Sequence, residues 1–192
     1  MKKLLIFVLP LLFLTGCSSK NVTSNYTAEK SSYSYNHKDE DMELSAYSST
    51  IYTKTSERQN NIKLACNELN NTIVNPGETF SFCDTLGPAK PEDGYQKADT
   101  FDTEGDIYKE YGGGKCQVSS TLYNAVKDIP GIEIIERHEH SNYVPYVQEG
   151  QDAAVAYGSV DFKFRNNNAY PIMIKASATD DEVIIKIVKI IF

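Results

Sequence analysis

With 192 residues, 41% hydrophobic and 23% charged, the chain has the composition of one globular domain with room for an appendage. Its formal net charge is -7 and its pI is near 5.0. An acidic chain of this kind repels phosphates, so nucleic acid is excluded as an expected partner.

The first segment, residues 1–16, sets Lys2 and Lys3 ahead of an apolar run that ends in small residues. This is the layout of a secretory signal, and the run is too short to serve as a mature transmembrane helix. Leu14-Thr15-Gly16-Cys17 resembles the lipobox of bacterial lipoproteins. The resemblance implies that Cys17 receives lipid and that the mature protein works outside the cytoplasm, anchored to the membrane. Residues 17–55 are rich in Ser, Thr, Tyr, Asn and charge, with few aliphatic side chains. Such a stretch buries too little apolar surface to repay ordering, so it is expected to be a tether, with His37 solvated.

The folded part is expected over residues 56–192. In SERQNNIKLACNELNN, Ile62, Ala65, Cys66 and Leu69 fall at helical spacing behind Ser56 as the expected N-cap. TIVNPGETFSF reads as a strand-like run broken by an Asn-Pro-Gly turn, DTLGPAKPEDGY as a loop, and the stretch to Gly114 shows no clear period. A second helix is expected from Lys115, with Val118, Leu122, Ala125, Val126 and Ile129 as its apolar stripe and Pro130-Gly131 as its stop. GIEIIERHEHS then alternates like a strand, and three further strands follow, with turns at residues 166–168 and 180–181. The expected class is α+β: a largely antiparallel sheet with a cysteine-headed helix packed on it, plus an N-terminal helix.

Cys116 stands at the head of the second helix, roughly opposite its apolar stripe, on the face of Ser119, Ser120 and Tyr123. Unpaired N–H groups and the positive end of the helix dipole favour a thiolate there, and the thiolate is the nucleophile. Lys115 adds a neighbouring cation. Gly112, Gly113 and Gly114 carry no side chains, so they admit a carbonyl substrate and turn backbone N–H groups, with those of Cys116 and Gln117, toward an oxyanion. Such a nucleophile needs an imidazole, and the folded part offers His138 and His140, which share a face if residues 131–141 form a strand. A carboxylate, Asp152 or Asp161, would orient the imidazole. The order Cys, His, Asp resembles that of papain-like and transglutaminase-like cores.

Cys66 and Cys83 are either a disulfide or two buried thiols. The competing chemistry for the histidines is metal-assisted hydrolysis, because His-x-His on one strand face suits zinc. It requires a further ligand from Cys116, Asp152, Asp161 or Glu136. No second His motif or Cys-x-x-Cys supports it, and no metal or cofactor is expected.

NPGETFSFCDTLGP, GGGKCQVSSTLYNAV, IERHEHS, YVPYVQEGQDAAVAYGSVDFKFRN and YPIMIKA together resemble the VanW-like family, over about residues 56–178. Some members of that family resemble L,D-transpeptidases, which cross-link peptidoglycan stem peptides through a cysteine. The resemblance therefore implies Cys116 as nucleophile, His140 as the preferred base and stem peptides as partner. It also exposes two departures: Cys83 where the family more often has Asn, and Lys115 where it more often has a small or aliphatic residue. A link to antibiotic resistance is implied by the family's name. The expected function is a cysteine acyltransferase of the cell wall, transpeptidase or endopeptidase. A non-catalytic envelope-binding module and a metal-dependent hydrolase are its alternatives.

Overall fold

The computed structural model describes residues 42–101 and 106–191. The expected leader, Cys17 and His37 lie outside the described residues. The elements run β1 (Met42–Thr50), α1 (Ser56–Leu69), β2 (Thr72–Val74), β3 (Thr79–Ser81), α2 (Phe82–Leu86), β4 (Lys97–Phe101) and β5 (Ile107–Tyr111). They continue with α3 (Lys115–Val126), β6 (Ile132–Glu136), β7 (Lys163–Asn166), β8 (Ile172–Ala178) and β9 (Glu182–Lys189). Strands pair in the order β1-β9-β8-β2, β3-β7-β6 and β4-β5, each pair antiparallel. The fold is α+β, as the sequence implies. Among the described residues no helix is long and apolar enough to cross a membrane.

The core follows from alternation on the strands and a stripe on each helix. Ile174 and Ala176 of β8 meet Ile187 and Ile185 of β9 across a regular ladder, and these four are buried, as is Ile172. Ile62, Ala65, Cys66 and Leu69 of α1 and Val118, Leu122, Ala125 and Val126 of α3 close over that face. α3 packs on β1 and β9, and α1 packs on β8 and α3. Phe80, Phe162 and Phe164 extend the same core beneath the second sheet, with Phe80 and Phe164 stacked at 4.9 Å.

Four differences from the sequence reading have physical causes. Part of the expected tether is a strand: β1 pairs with β9 along nearly its whole length, and Ile51 behind it is completely buried. Residues 42–50 are thus part of the fold, because β9 supplies the partner that a polar segment lacks on its own. The N-cap of α1 is Thr55, whose side chain accepts from the Arg58 N–H, instead of Ser56. Residues 97–101 and 107–111, read as aperiodic, pair as the antiparallel strands β4 and β5. The histidine-bearing strand ends at Glu136, before either histidine. Cys66 and Cys83 are free buried thiols, so the disulfide alternative is excluded. Burial raises the pKa of each to about 12.

Candidate active site

Cys116 enters the site on the first turn of α3, and the three glycines ahead of it explain how that turn is seated. A Cβ on Gly113 would lie 2.7 Å from the Ala98 carbonyl oxygen of β4. One on Gly114, where φ is +117°, would lie 2.8 Å from Ile62 Cγ1 of α1, and one on Gly112 would lie 2.5 Å from Ala89 Cβ. The space above the glycines is therefore filled by the protein's own packing and is not left for a substrate, as the sequence reading expected. Asn61, fully buried, fixes the turn further. Its amide donates to the carbonyls of Gln96 (2.8 Å) and Gly113 (3.1 Å), and its oxygen accepts from the Gln96 N–H (2.8 Å).

Of the two histidines, only His140 reaches the cysteine. Its Nδ1 donates to Asp152 Oδ2 at 2.6 Å, and its backbone N–H donates to the same oxygen at 2.6 Å. The remaining ring nitrogen is left for Cys116, whose pKa His140 lowers, while the thiol itself donates to the Val155 carbonyl at 3.4 Å. His138 turns to Glu136 Oε1 at 3.1 Å, half-exposed. Since the strand stops at Glu136, the two imidazoles do not share a face. Among the described residues no three His, Cys, Asp or Glu side chains converge as a metal site.

The two carboxylates separate as cleanly. Asp152 is the one that meets the imidazole. Asp161 instead accepts from Ser81 Oγ (2.6 Å) and from the backbone N–H groups of Cys83 (2.9 Å) and Phe162 (2.8 Å), which fixes the start of α2. That is a structural assignment, away from the imidazole.

The electrostatics shift Cys116 and His140 in opposite directions. Burial alone would push the Cys116 thiol up, but the hydrogen bond and charge of His140, with Arg58 nearby, bring its pKa below the ordinary thiol value. Burial opposes the charge on His140, yet Cys116 and Asp152 together hold its pKa above the usual imidazole value. Burial likewise works against the Asp152 carboxylate, and the two hydrogen bonds from His140 outweigh it, leaving the pKa lowered.

The other expected substrate-side residues are largely interior. Gln117, Ser119 and Ser120 are buried. Ser119 Oγ donates to the Ala153 carbonyl (2.5 Å) and Ser120 Oγ accepts from the Ala153 N–H (2.9 Å). They lock the segment that carries Asp152 onto α3. The Gln117 N–H already donates to the Gly114 carbonyl (3.0 Å), which removes it as an oxyanion donor. No acceptor among the described residues takes the N–H groups of Gly114 and Cys116. Tyr123 packs edge-on against Phe162 at 5.7 Å and beneath the Arg137 guanidinium at 5.0 Å. Lys115 donates to the Gly87 carbonyl (2.7 Å) and lies over Tyr95, so it ties down a loop.

Three residues absent from the sequence reading complete the site. Arg137 donates from Nε to the Asp152 carbonyl (2.6 Å) and from Nη2 to that of Gly150 (2.8 Å), and its Nη2 meets Asp152 Oδ1 at 3.3 Å. It holds Asp152 in place. Tyr146 stands edge-on to His140, ring centroids 6.5 Å apart, and burial raises its hydroxyl pKa. Arg58, on the first turn of α1, donates from Nη2 to Gln117 Oε1 at 3.0 Å. Its position, four residues before Ile62, puts it over the head of α3 by helical periodicity. The sequence signal for Arg58 and Ile62 is that shared spacing; nothing local marks Arg137 or Tyr146.

Comparison with known proteins places this geometry in a family. The family model described as VanW like protein matches residues 57–188. The chain is 39% identical over 143 residues to the uncharacterized protein YoaR of Bacillus subtilis (strain 168), covering 74% of this chain and 46% of the relative. It is 33% identical over 129 residues to the vancomycin B-type resistance protein VanW of Enterococcus faecalis (strain ATCC 700802 / V583), covering 65% of this chain and 46% of that protein. The chain thus spans about half the length of these relatives. No solved structure matches it.

Proposed function

The chain belongs to the VanW-like family, and from that premise we propose that it is a cysteine acyltransferase acting on the stem peptides of bacterial peptidoglycan. The observation that carries this reading is the 2.6 Å pairing of His140 with Asp152, with Cys116 at the head of α3 under the influence of that imidazole. The resemblance of some members of that family to L,D-transpeptidases supports the substrate class. The vancomycin-resistance name of one relative is consistent with work at the cell wall.

In this mechanism the Cys116 thiolate attacks the carbonyl carbon of a stem-peptide amide, and a C–S bond forms as the carbonyl opens. The Gly114 and Cys116 N–H groups stabilise the oxyanion. Collapse breaks the C–N bond while the His140 imidazolium passes its proton to the leaving nitrogen. An amine or water then attacks the thioester, His140 takes the incoming proton, and the thiolate is restored. Asp152 keeps the imidazole in the tautomer and orientation that both steps need. The lipid anchor at Cys17 places this chemistry at the outer face of the cell membrane.

Intact-protein mass spectrometry of the chain mixed with purified stem peptides tests the reading. A covalent acyl adduct is expected on the wild type and absent from Cys116→Ala, with cross-linked peptide distinguishing transfer from hydrolysis. Peptide binding without adduct or product would replace catalysis with a binding role.

A further inference from the structure

At the end of α3 far from Cys116 lies a cavity that the cysteine reaction does not use. It encloses about 280 Å³ and is lined by Tyr47 of β1, Asn124 of α3, Lys127 and Asp128 just past that helix, and Gln148 and Gln151. Small-molecule clefts run from roughly 300 to 1,000 Å³, so this one suits a single ring. Its walls are three carboxamides, a phenol and an ion pair, Lys127 Nζ to Asp128 Oδ2 at 2.6 Å. Among the described residues no aliphatic side chain lines it, so an apolar ligand finds little to bury against. The paired charges cancel, so an ion of either sign gains little. Gln151 Oε1 is buried with no donor among the described residues, and an orphan acceptor of this kind calls for a partner. The backbone of Gln151 is fixed: Asn124 Nδ2 donates to its carbonyl at 2.6 Å, and its N–H donates to the Gln148 carbonyl at 3.0 Å. Its terminal amide torsion is soft, so Oε1 can turn to a donor inside the cavity. A neutral ligand with several hydroxyl and amide groups meets these requirements, and that is a sugar.

Placement links the cavity to the cysteine. Lys127 keeps right-handed helical angles beyond Val126. From Cys116 to Lys127 an α-helix rises about 16 Å and returns to within about 20° of its starting face, so sulfur and cavity lie along one side of α3. Residues 151–155 run antiparallel to the helix between them. The Gln151 carbonyl meets Asn124, Ala153 meets Ser119 and Ser120, and the Val155 carbonyl accepts from Cys116 Sγ at 3.4 Å. Contacts at every second residue are the spacing of an extended segment. A stem peptide of three or four residues, at most roughly 10–14 Å long when extended, covers the same interval.

We infer that this cavity is a saccharide subsite, which takes one N-acetylated amino-sugar ring of the glycan to which the acyl-donor stem is joined. The hydroxyl and acetamido groups of the ring meet the side-chain amides of Gln148 and Gln151 and the Tyr47 hydroxyl, and the stem runs beside residues 151–155 toward Cys116. The assignment rests on the cysteine reaction proposed above for the identity of the stem, and not for the binding of the sugar. It selects stems still attached to glycan over free peptides.

Two ligands test this on the full chain: an N-acetylmuramoyl tetrapeptide, and the same tetrapeptide with a plain N-acetyl group in place of the sugar. Calorimetric binding to Cys116→Ala is expected to favour the muramoyl peptide by at least about tenfold, the worth of one or two neutral hydrogen bonds. Adding Gln151→Leu is expected to bring the muramoyl peptide down to the affinity of the sugar-free one, which itself stays unchanged. Tyr47→Phe keeps the ring and loses the hydroxyl, and is expected to remove part of the preference. Because Gln151 Oε1 has no donor to lose, Gln151→Leu is expected to hold or raise the urea midpoint.

Equal binding of the two peptides to Cys116→Ala overturns the assignment. So does a preference that survives both Gln151→Leu and Tyr47→Phe, since the sugar would then sit elsewhere. A lowered urea midpoint in Gln151→Leu with equal loss on both peptides makes that residue structural and overturns it as well. The two readings fail separately. Sugar-dependent binding with no thioester on the wild type removes the cysteine reaction and spares the subsite. Thioester formation at one rate from both peptides does the reverse.

Discussion

Two opposing influences set the charge on the Cys116 sulfur. Withdrawal from water favours the neutral thiol, and the imidazole of His140 favours the thiolate; the second prevails. The sign of the pH response follows. Alkylation by iodoacetamide tracks the thiolate, so its rate should rise through a midpoint below the ordinary thiol pKa of about 8.5. In His140→Gln the imidazole's charge is lost while burial remains, so the midpoint should move upward and alkylation at pH 7 should fall at least about tenfold, one pKa unit being a tenfold change in thiolate. Turnover should be bell-shaped: it rises as the thiol ionises and falls as the raised imidazolium pKa is passed, both limbs belonging to the coupled pair. His138→Ala should leave both curves in place, because that ring pairs with Glu136 outside the site. Asp152→Asn should cost turnover by about 10²–10⁴ through a wrongly set tautomer. The place of Cys116 at a helix head was legible in the sequence. The choice between the histidines was not, since it depends on β6 ending at Glu136 and the chain then turning toward Asp152.

At the scale of elements, the head of α3 is wedged between α1 and the β4-β5 pair, and small groups make that possible. Gly113→Ala brings a Cβ within 3 Å of three backbone atoms of Ala98 and Asp99. Backbone atoms cannot rotate aside, so the strand pair must shift; the expected destabilisation is roughly 1–3 kcal/mol, read from urea unfolding. Catalytic efficiency should fall further than stability, because the same shift displaces Cys116. Asn61→Leu should be the harsher change. It strips partners from the Gln96 N–H and from the Gln96 and Gly113 carbonyls, each lost pairing costing about 1–3 kcal/mol where the group stays buried. Helices α1 and α3 were readable because their stripes face one core and so keep a 3.6-residue period. The β4-β5 pair was not, because β5 is exposed on both faces and nothing imposes alternation on it.

For the molecule as a whole, the long-range element is β1, which begins the described fold and closes against one of its last strands. Its residues are Ser-, Thr- and Tyr-rich, so composition alone reads them as tether. What orders them is the apolar β9 edge and the polar seam to α3. Ser49 shares a 2.7 Å hydrogen bond with Thr121, Ser45 Oγ donates to the Ala125 carbonyl, and the Thr50 carbonyl accepts from Gln117. Hydroxyl and amide groups in this strand therefore do the work that an apolar stripe does elsewhere, and hydropathy does not detect them. Ile51 decides the matter. Its N–H donates to the Asp181 carbonyl at 2.7 Å, and its side chain is wholly enclosed in the main core. If β1 docks as described, Ile51→Ala removes buried methyl and methylene groups and leaves a cavity, costing about 2–5 kcal/mol in the unfolding free energy. Met42→Ala, at the far, exposed end of the same strand, should change stability by less than about 0.5 kcal/mol. Denaturant unfolding of the two variants checks this pair. Equal, negligible effects would mean that residues 42–51 do not belong to the folded domain, and that the Gln117 anchor beside Cys116 and Arg58 is not held from that side.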